Sequence, residues 1–355
     1  MLRRPPQRSR PFRSRTIHAH ARGFPPAASR HDRPAPRRHR ADLARGPAVS
    51  RAVLIDCDPG TDDAIALWLA LASPELDLRL VTVAGGNVGL ERTLPNARAV
   101  LGLGGARAPV VAGAERPLTG AYRSETRVHG TDGLGGVVLP AGPPAAPGLA
   151  ADAIRDALRG AAPASVTLVG LGPATNLALA LATEPPLRAA VAEIVLMTGA
   201  VGEGNWTPAA EFNAAMDPEA LAVLLGCGCP VTLATLDLTA QALVTPARVA
   251  ALRAGPGGRC RAACGDILAA LPPSKRLAGR GAPLHDPCAI AWLVAPALFT
   301  HRPAAAEVVL DGPDRGRTRI DRWQRSDRPV NIRLLETIDA EGFFALLGER
   351  LARLP

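Results

Sequence analysis

The chain has 355 residues, 47% hydrophobic and 21% charged, which suits one large α/β domain with a substantial core. Its net charge of +9 would fit a nucleic-acid partner, but 13 Arg against Asp32 and Asp42 put +11 into residues 1–50 and leave −2 for residues 51–355. A slightly acidic folded part argues against nucleic-acid binding through it, and the sequence shows neither a secretory apolar core nor a membrane-length apolar segment.

Residues 1–50 are rich in Arg, Pro and His and nearly free of acids and large apolar residues, so they cannot bury a core and are expected to be a disordered tail. Ser is scarce for a transit peptide, Lys275 is the only Lys, and heavy use of Ala, Arg, Gly and Pro points to a GC-rich coding sequence. The expectation is upstream sequence translated from a start assigned too early; a targeting segment and a nucleic-acid-binding arm are the alternatives.

The folded part, residues 51–355, opens with the apolar run Ala52-Val53-Leu54-Ile55, which reads as a buried strand. It runs into Asp56-Cys57-Asp58-Pro59-Gly60-Thr61-Asp62-Asp63, where four carboxylates occupy eight positions. Pro59 and Gly60 make a turn, and Thr61 or Asp62 is placed to cap the helix that begins with Ala64-Ile65-Ala66-Leu67. Acids this close repel one another unless a cation sits among them. Oxygen ligands without a neighbouring His or paired Cys favour Ca²⁺ or Mg²⁺ over zinc. A solvated loop with good helix-dipole charges would need only one or two acids.

The arrangement of apolar strand followed by polar turn then repeats. Leu80–Ala84 leads to Gly85-Gly86-Asn87, Val166–Val169 leads to Gly170-Leu171-Gly172-Pro173-Ala174-Thr175-Asn176, and Ile194–Met197 leads to Thr198-Gly199. Helical stretches over 90–103, 174–183 and 217–225 lie between or after these runs. Alternation of this kind predicts an α/β fold, a mostly parallel sheet flanked by helices, with its ligand at the carboxyl ends of the strands. Asn205, Glu211 and Asn213 occupy a loop ahead of the Asp217-Pro218-Glu219 helix start, and Leu284-His285-Asp286-Pro287 precedes the apolar helix from Cys288 to Leu293. Standing alone, Asp286 would read as an N-cap and His285 as a structural histidine. Near the C-terminus, Glu307–Asp311 and Pro329–Leu334 read as late strands flanking the turn Gly312–Gly316, and Ala340–Leu354 reads as an amphipathic helix.

Taken together, DCDPGTDDA at 56–64, GGN at 85–87, GLGPATN at 170–176, LMTG at 196–199, GNWTPAAEFN at 204–213 and LHDP at 284–287 resemble the nucleoside hydrolases, in that family's order and across most of residues 52–355. A haloacid-dehalogenase-type phosphatase also carries two Asp two apart after its first strand, but it has Thr or Val at the fifth position, where this chain has Gly60. The resemblance implies a single-domain, Rossmann-like fold and hydrolysis of the N-glycosidic bond of ribonucleosides. It also implies one Ca²⁺ held by Asp58, Asp63, Asp286 and the Leu171 carbonyl. Asp58 would be the general base and His285 the acid for the departing nucleobase. Asp62, Asn205, Glu211 and Asn213 would bind ribose hydroxyls, Asn87 would orient the metal site, Met197 would pack beneath the sugar, and Asp56 would support the loop.

The chemistry asks for such groups. Cleaving a ribosyl C–N bond builds positive charge on the sugar, which carboxylates stabilise, while water needs a base and the leaving group an acid. A catalytically silent calcium- or nucleoside-binding protein of the same fold is the alternative, although a pure binder has no need of a base and an acid. The segment His129-Gly130-Thr131-Asp132-Gly133 resembles the family's mobile loop near the base, which makes His129 a candidate base contact, with a structural loop histidine as the equal alternative. The stretch Asp266–Pro283 lacks the aromatic residues that many members carry near the base, so purine or pyrimidine preference stays open. Six Cys without zinc-like spacing suggest reduced thiols in a cytoplasmic protein, with a Cys260–Cys264 disulfide possible but unsupported. The family resemblance further implies a homodimer or homotetramer.

Overall fold

Why the acidic turn lies where it does follows from the sheet. The structure, a computed structural model, describes residues 50–355; the tail expected over residues 1–50 lies outside the described residues apart from Ser50. The strands are β1 (Arg51–Cys57), β2 (Leu76–Val83), β3 (Val110–Ala112), β4 (Val166–Gly170), β5 (Val191–Met197), β6 (Val231–Ala234), β7 (Leu243–Val244), β8 (Ala282–Pro283), β9 (Phe299–Val308), β10 (Thr318–Asp321) and β11 (Ile332–Ile338). Nine form one sheet in the order β10-β9-β11-β6-β5-β4-β1-β2-β3, and β7 pairs with β8 in a small antiparallel ribbon. From β3 to β11 the neighbours are parallel, and β9 runs antiparallel to β11 and β10.

From β1 the chain winds outward through β2 to β3, then crosses back to β4 on the other side of β1. That reversal opens a crevice beyond the carboxyl ends of β1 and β4, the switch point at which open α/β sheets bind ligands. The register levels these ends: Asp56 sits opposite both Thr82 and Gly170, and Gly170 sits opposite Leu196. Asp58, Leu171 and Met197 therefore emerge along one edge.

Alternate residues of each strand face opposite sides, so the sheet carries two cores. Val53, Ile55, Val81 and Val195 join one with the helices Thr61–Leu71, Arg259–Ala270, Asp286–Val294 and Ala340–Leu351. Leu54, Leu80, Leu168 and Ile194 join the other with the helices Ala150–Arg159, Thr175–Thr183 and Pro218–Leu225. The helix Thr61–Leu71 is buried over all but its last residue and packs against Asp286–Val294, which brings the two acidic helix starts together.

The structure corrects several boundaries. Neither Thr61 nor Asp62 caps the first helix: Gly60 is its N-cap, and its N–H donates to Asp63 Oδ2 at 3.0 Å. Asp286 is the first residue of its helix rather than the cap, which is His285. The strand expected at Glu307–Asp311 is the tail of the longer β9, because the chain after Val308 closes the turn through Val309, whose N–H donates to the Arg317 carbonyl. Gly312–Gly316 leads into β10, whose single large apolar residue, Ile320, gave little periodic signal. The strand expected at Pro329–Leu334 is β11, shifted towards the C-terminus because Pro329 lacks the N–H that ladder pairing needs. All six Cys are free, so no Cys260–Cys264 disulfide forms, and among the described residues no helix is long and apolar enough to cross a membrane.

Trp68 ties the first helix to its neighbour: it is fully buried, and its indole N–H donates to the Val100 carbonyl at 2.9 Å. Trp68→Ala removes both the packing and that bond and should lower the unfolding free energy by about 3–5 kcal/mol, measured by urea denaturation.

Candidate active site

Asp56 is the penultimate residue of β1. Its Oδ1 accepts from Thr82 Oγ1 at 2.6 Å and from Asn176 Nδ2 at 2.9 Å, and its carbonyl accepts from the Leu171 N–H at 2.8 Å. One acid thus joins β1, β2 and β4 at the crevice, the supporting place expected of it. Burial pushes its pKa up to about 7, against the opposing effect of those two side-chain bonds.

Asn87 then organises the turn that follows. Its N–H donates to Asp58 Oδ2 at 2.7 Å, and its Nδ2 donates to the Asp58 carbonyl and to Asp63 Oδ2, each at 3.1 Å. Asp63 Oδ1 accepts from the Asp58 N–H at 3.2 Å. The remaining oxygen, Asp58 Oδ1, is buried without a hydrogen-bond partner among the described residues. A Cβ at Gly86 would overlap Asp58 Oδ2 and one at Gly172 would overlap Oδ1, so the two glycines make room for this carboxylate.

Asp62, Asp63 and Asp286 each offer an oxygen within 4.8 Å of the others, and all three are buried. Burial, then the charge of Asp63, drives the Asp58 pKa well above the ordinary carboxylate range; burial, then Asp62, does the same to Asp286 and raises Asp63 to about 6. Three clustered carboxylates beside an unpartnered buried oxygen are the donor set of a hard divalent cation. The tightest trio includes Asp62, which the sequence reading assigns to ribose, and omits Asp58.

A cavity of about 550 Å³ opens above these acids. Of the twelve residues singled out from the sequence, only Asp58 and Asp63, both fully buried, do not line it; Asp62, Asn87, His129, Leu171, Met197, Asn205, Glu211, Asn213, His285 and Asp286 do. Asn213 Nδ2 bridges two strand ends, donating to the carbonyls of Leu171 at 2.7 Å and Met197 at 3.0 Å. Glu211 caps the short helix Phe212–Met216, accepting from the N–H groups of Asn213, Ala214 and Gly199 and from Thr198 Oγ1 at 2.8–3.2 Å. Its carboxylate is largely committed to fixing Asn213. Asn205 Oδ1 accepts from the Phe212 N–H at 2.9 Å.

The two histidines sit on different supports. His129 Nδ1 accepts from the Thr61 N–H at 3.2 Å and lies 2.9 Å from Thr61 Oγ1, which ties the 129–136 loop to the start of the acidic helix. Burial lowers its pKa to about 4, so the ring is neutral at pH 7. His285 Nδ1 lies 2.7 Å from Thr239 Oγ1, leaving Nε2 as the ring nitrogen available to a ligand. Desolvation lowers its pKa as well.

Sequence reasoning missed Thr239, whose role depends on a contact 46 residues away, and the aromatic pair Trp206 and Phe212, packed edge to face at 5.4 Å beneath Arg127. Trp206 stood inside a motif read only for its polar residues. The aromatic-free stretch after Asp266 does line the cavity, through Leu271, Pro272, Pro273, Ser274, Lys275 and Arg276.

The family model for inosine-uridine preferring nucleoside hydrolases matches residues 53–345. The chain belongs to this family. Among related nucleoside hydrolases, the pyrimidine-specific ribonucleoside hydrolase RihA of Photobacterium profundum is 42% identical over 86% of this chain and 99% of its own length, and that of Klebsiella pneumoniae subsp. pneumoniae is 42% identical over 84% and 98%. Among solved structures, a plant nucleoside hydrolase superposes with a TM-score of 0.79 at 31% identity over 86% of this chain and 99% of that one. A purine-preferring ribonucleoside hydrolase from Gardnerella vaginalis gives 0.77 at 31% over 85% and 98%. This nucleoside hydrolase is thus an enzyme, and the phosphatase alternative falls away.

Two predictions follow from the packing of the acids. Gly172→Ala should push Asp58 aside and cut kcat by about 10²-fold, the effect of the general-base role that the family resemblance implies for Asp58, with unfolding free energy changed far less. The acids Asp56 and Asp63 are raised from an ordinary value of 3.8 to about 7 and about 6, so the metal-free fold binds more protons than the unfolded chain and loses stability as pH rises from 4 towards 7. In chelator, Tm should be lower at about pH 7.5 than at about pH 5, and a divalent cation should recover most of the difference. A flat Tm across that range would contradict the account.

Proposed function

We propose that the chain is a Ca²⁺-dependent ribonucleoside hydrolase that releases ribose and a free nucleobase, with pyrimidine nucleosides as its preferred substrates. The observation that carries the metal reading is the unpartnered Asp58 Oδ1 beside three clustered acids. Asp58, Asp63, Asp286 and the Leu171 carbonyl would hold the ion, with Asp62 near enough to contribute. When bound, Ca²⁺ neutralises the acids and makes a nearby water more acidic.

The chain's own groups supply the rest. Asp58 takes the proton of the attacking water at Oδ1. Asp62, Asn205 and Asn213 orient the ribose hydroxyls, Glu211 holds Asn213 in place, and Met197 floors the sugar. The anionic crevice stabilises the positive ribosyl group as the C–N bond breaks. His285 delivers a proton from Nε2 to the departing base, steadied by Thr239 at Nδ1. His129 supports the acidic helix from the side and borders the cavity.

The pyrimidine preference is supported by the RihA relatives, which match over nearly their whole length at 42% identity, and by the aliphatic and basic wall Leu271–Arg276. Uridine, cytidine and inosine assayed side by side for ribose release should favour the pyrimidines by at least about tenfold in kcat/KM, the scale on which pocket contacts discriminate. Faster inosine cleavage would reverse the assignment. Chelation should abolish turnover and Ca²⁺ restore it; full activity in protein shown by elemental analysis to be metal-free would remove the ion from the mechanism.

His285→Ala should lose about 10²- to 10⁴-fold on uridine yet stay near wild type on p-nitrophenyl riboside, whose leaving group departs as a stable anion. Equal losses on both would make His285 a sugar contact or a structural residue.

A further inference from the structure

Away from the crevice, the loop Gly226-Cys227-Gly228-Cys229-Pro230 joins the helix Pro218–Leu225 to the amino end of β6. Gly228 has a φ of +82°, and no atom would lie within 4 Å of a Cβ there, so glycine serves the reversal of the backbone rather than close packing. The reversal folds the loop over its first sulfur: the Cys229 N–H donates to Cys227 Sγ at 3.5 Å. The Cys229 thiol in turn donates to the Arg188 carbonyl at 3.9 Å. Arg188 is held by its own bonds to the carbonyls of Leu181 at 3.1 Å and Cys227 at 3.3 Å, which keeps a fixed positive charge beside the first cysteine.

We propose that Cys227 and Cys229 form a redox-active dithiol that a hydroperoxide oxidant closes into an intrachain disulfide. Cys227 is the attacking sulfur and Cys229 the resolving one. The Cys227 thiolate displaces hydroxide from the peroxide, breaking the O–O bond and leaving a sulfenic acid. The Cys229 sulfur then attacks that sulfur, the S–O bond breaks, and water leaves with the Cys229 proton. Two thiols are oxidised by two electrons, and one peroxide is reduced to two waters.

Three further observations favour this pair over the other cysteines. Contact with the Cys229 side chain, aided by the Cys229 N–H and by Arg188, holds the Cys227 thiol below the ordinary thiol range, which favours its thiolate. Burial raises the other four thiols, Cys57, Cys260, Cys264 and Cys288, and leaves them inert. Lastly, Cys229 is half-buried and lines, with His301, Thr232 and Arg333, a separate cavity of about 600 Å³ that opens beside the buried Cys227. A ring closed across a single residue is tight, so the disulfide should be easily reduced.

The test uses the full chain at pH 7 with a small excess of hydrogen peroxide, followed by alkylation in urea and peptide mass spectrometry. The expected product is a Cys227–Cys229 link, reversed by dithiothreitol, while the other four cysteines still alkylate. Cys229→Ser should stop at a sulfenic acid on Cys227 that dimedone traps. Cys227→Ser should slow oxidation of Cys229 by at least about tenfold, the change expected when a thiolate is lost. Uridine hydrolysis by untreated variants serves as the check on folding, because neither cysteine lies in the active site. The proposal fails if Cys227 and Cys229 both still alkylate after peroxide has begun to consume any other cysteine, or if Cys229 oxidises at the wild-type rate in Cys227→Ser.

Discussion

Repulsion among buried carboxylates is the constraint around which this molecule is built. Asp56, Asp58, Asp62, Asp63 and Asp286 are all buried at one edge of the sheet. Two like charges separated by the 4.8 Å that bounds the acidic trio cost about 3 kcal/mol at the effective dielectric of a protein. Several such pairs rival the whole net stability of a domain. The cluster therefore needs a rigid frame, donors aimed at its oxygens, and a counter-charge. The frame is the sheet edge with the helix Thr61–Leu71 behind it, the donors come from Asn87, Asn176, Thr82 and Gly60, and the counter-charge is the role of the cation proposed above. These elements are interdependent, because the helix that carries Asp62 and Asp63 into the crevice is itself buried over all but its last residue.

The same arrangement separates the tasks of the crevice. Strand ends hold the sugar side, where Asn213 spans the carbonyls of β4 and β5 and Glu211 spends its oxygens on backbone N–H groups. The far side is made of loops and a short turn, Leu271 to Arg276, together with Trp206 and Phe212. In the proposed mechanism, chemistry that must be exact rests on the hydrogen-bonded strand ends, and contacts to the base fall to segments outside the sheet.

Much of this was readable from the residues. Strands β1, β4 and β5 announce themselves as apolar runs closed by Gly or Asp, and the helix over 90–103 was located to the residue because its apolar spacing is regular. Strand β3 has three residues and β7 and β8 two each, so none can show a period; they are held by partners rather than by pattern. The acidic motif marked the site, since four acids in eight positions have few other uses. Which acids cluster is another matter. The grouping of Asp62 with Asp63 and Asp286 depends on how two helices pack, and the Thr239 contact to His285 depends on a chain crossing that leaves no local trace. Glu211 looked like a ligand-binding acid and turns out to cap a helix as well, because a side chain's acceptors can be counted only once its neighbours are known.

The clearance around Asp58 has a consequence for how such an enzyme can change over time. Gly86 comes from the loop after β2 and Gly172 from the loop after β4, and each leaves room for one oxygen of the same carboxylate. Any side chain at either position collides with Asp58, so both are closed to drift as long as Asp58 is kept. Leu271–Arg276 contributes no strand and no acid to the cluster, so it is free to vary. On the proposed assignment of roles, a lineage of such enzymes can wander from one nucleobase to another by small steps while its ribose chemistry stands still, and a departure from that chemistry would require several simultaneous changes.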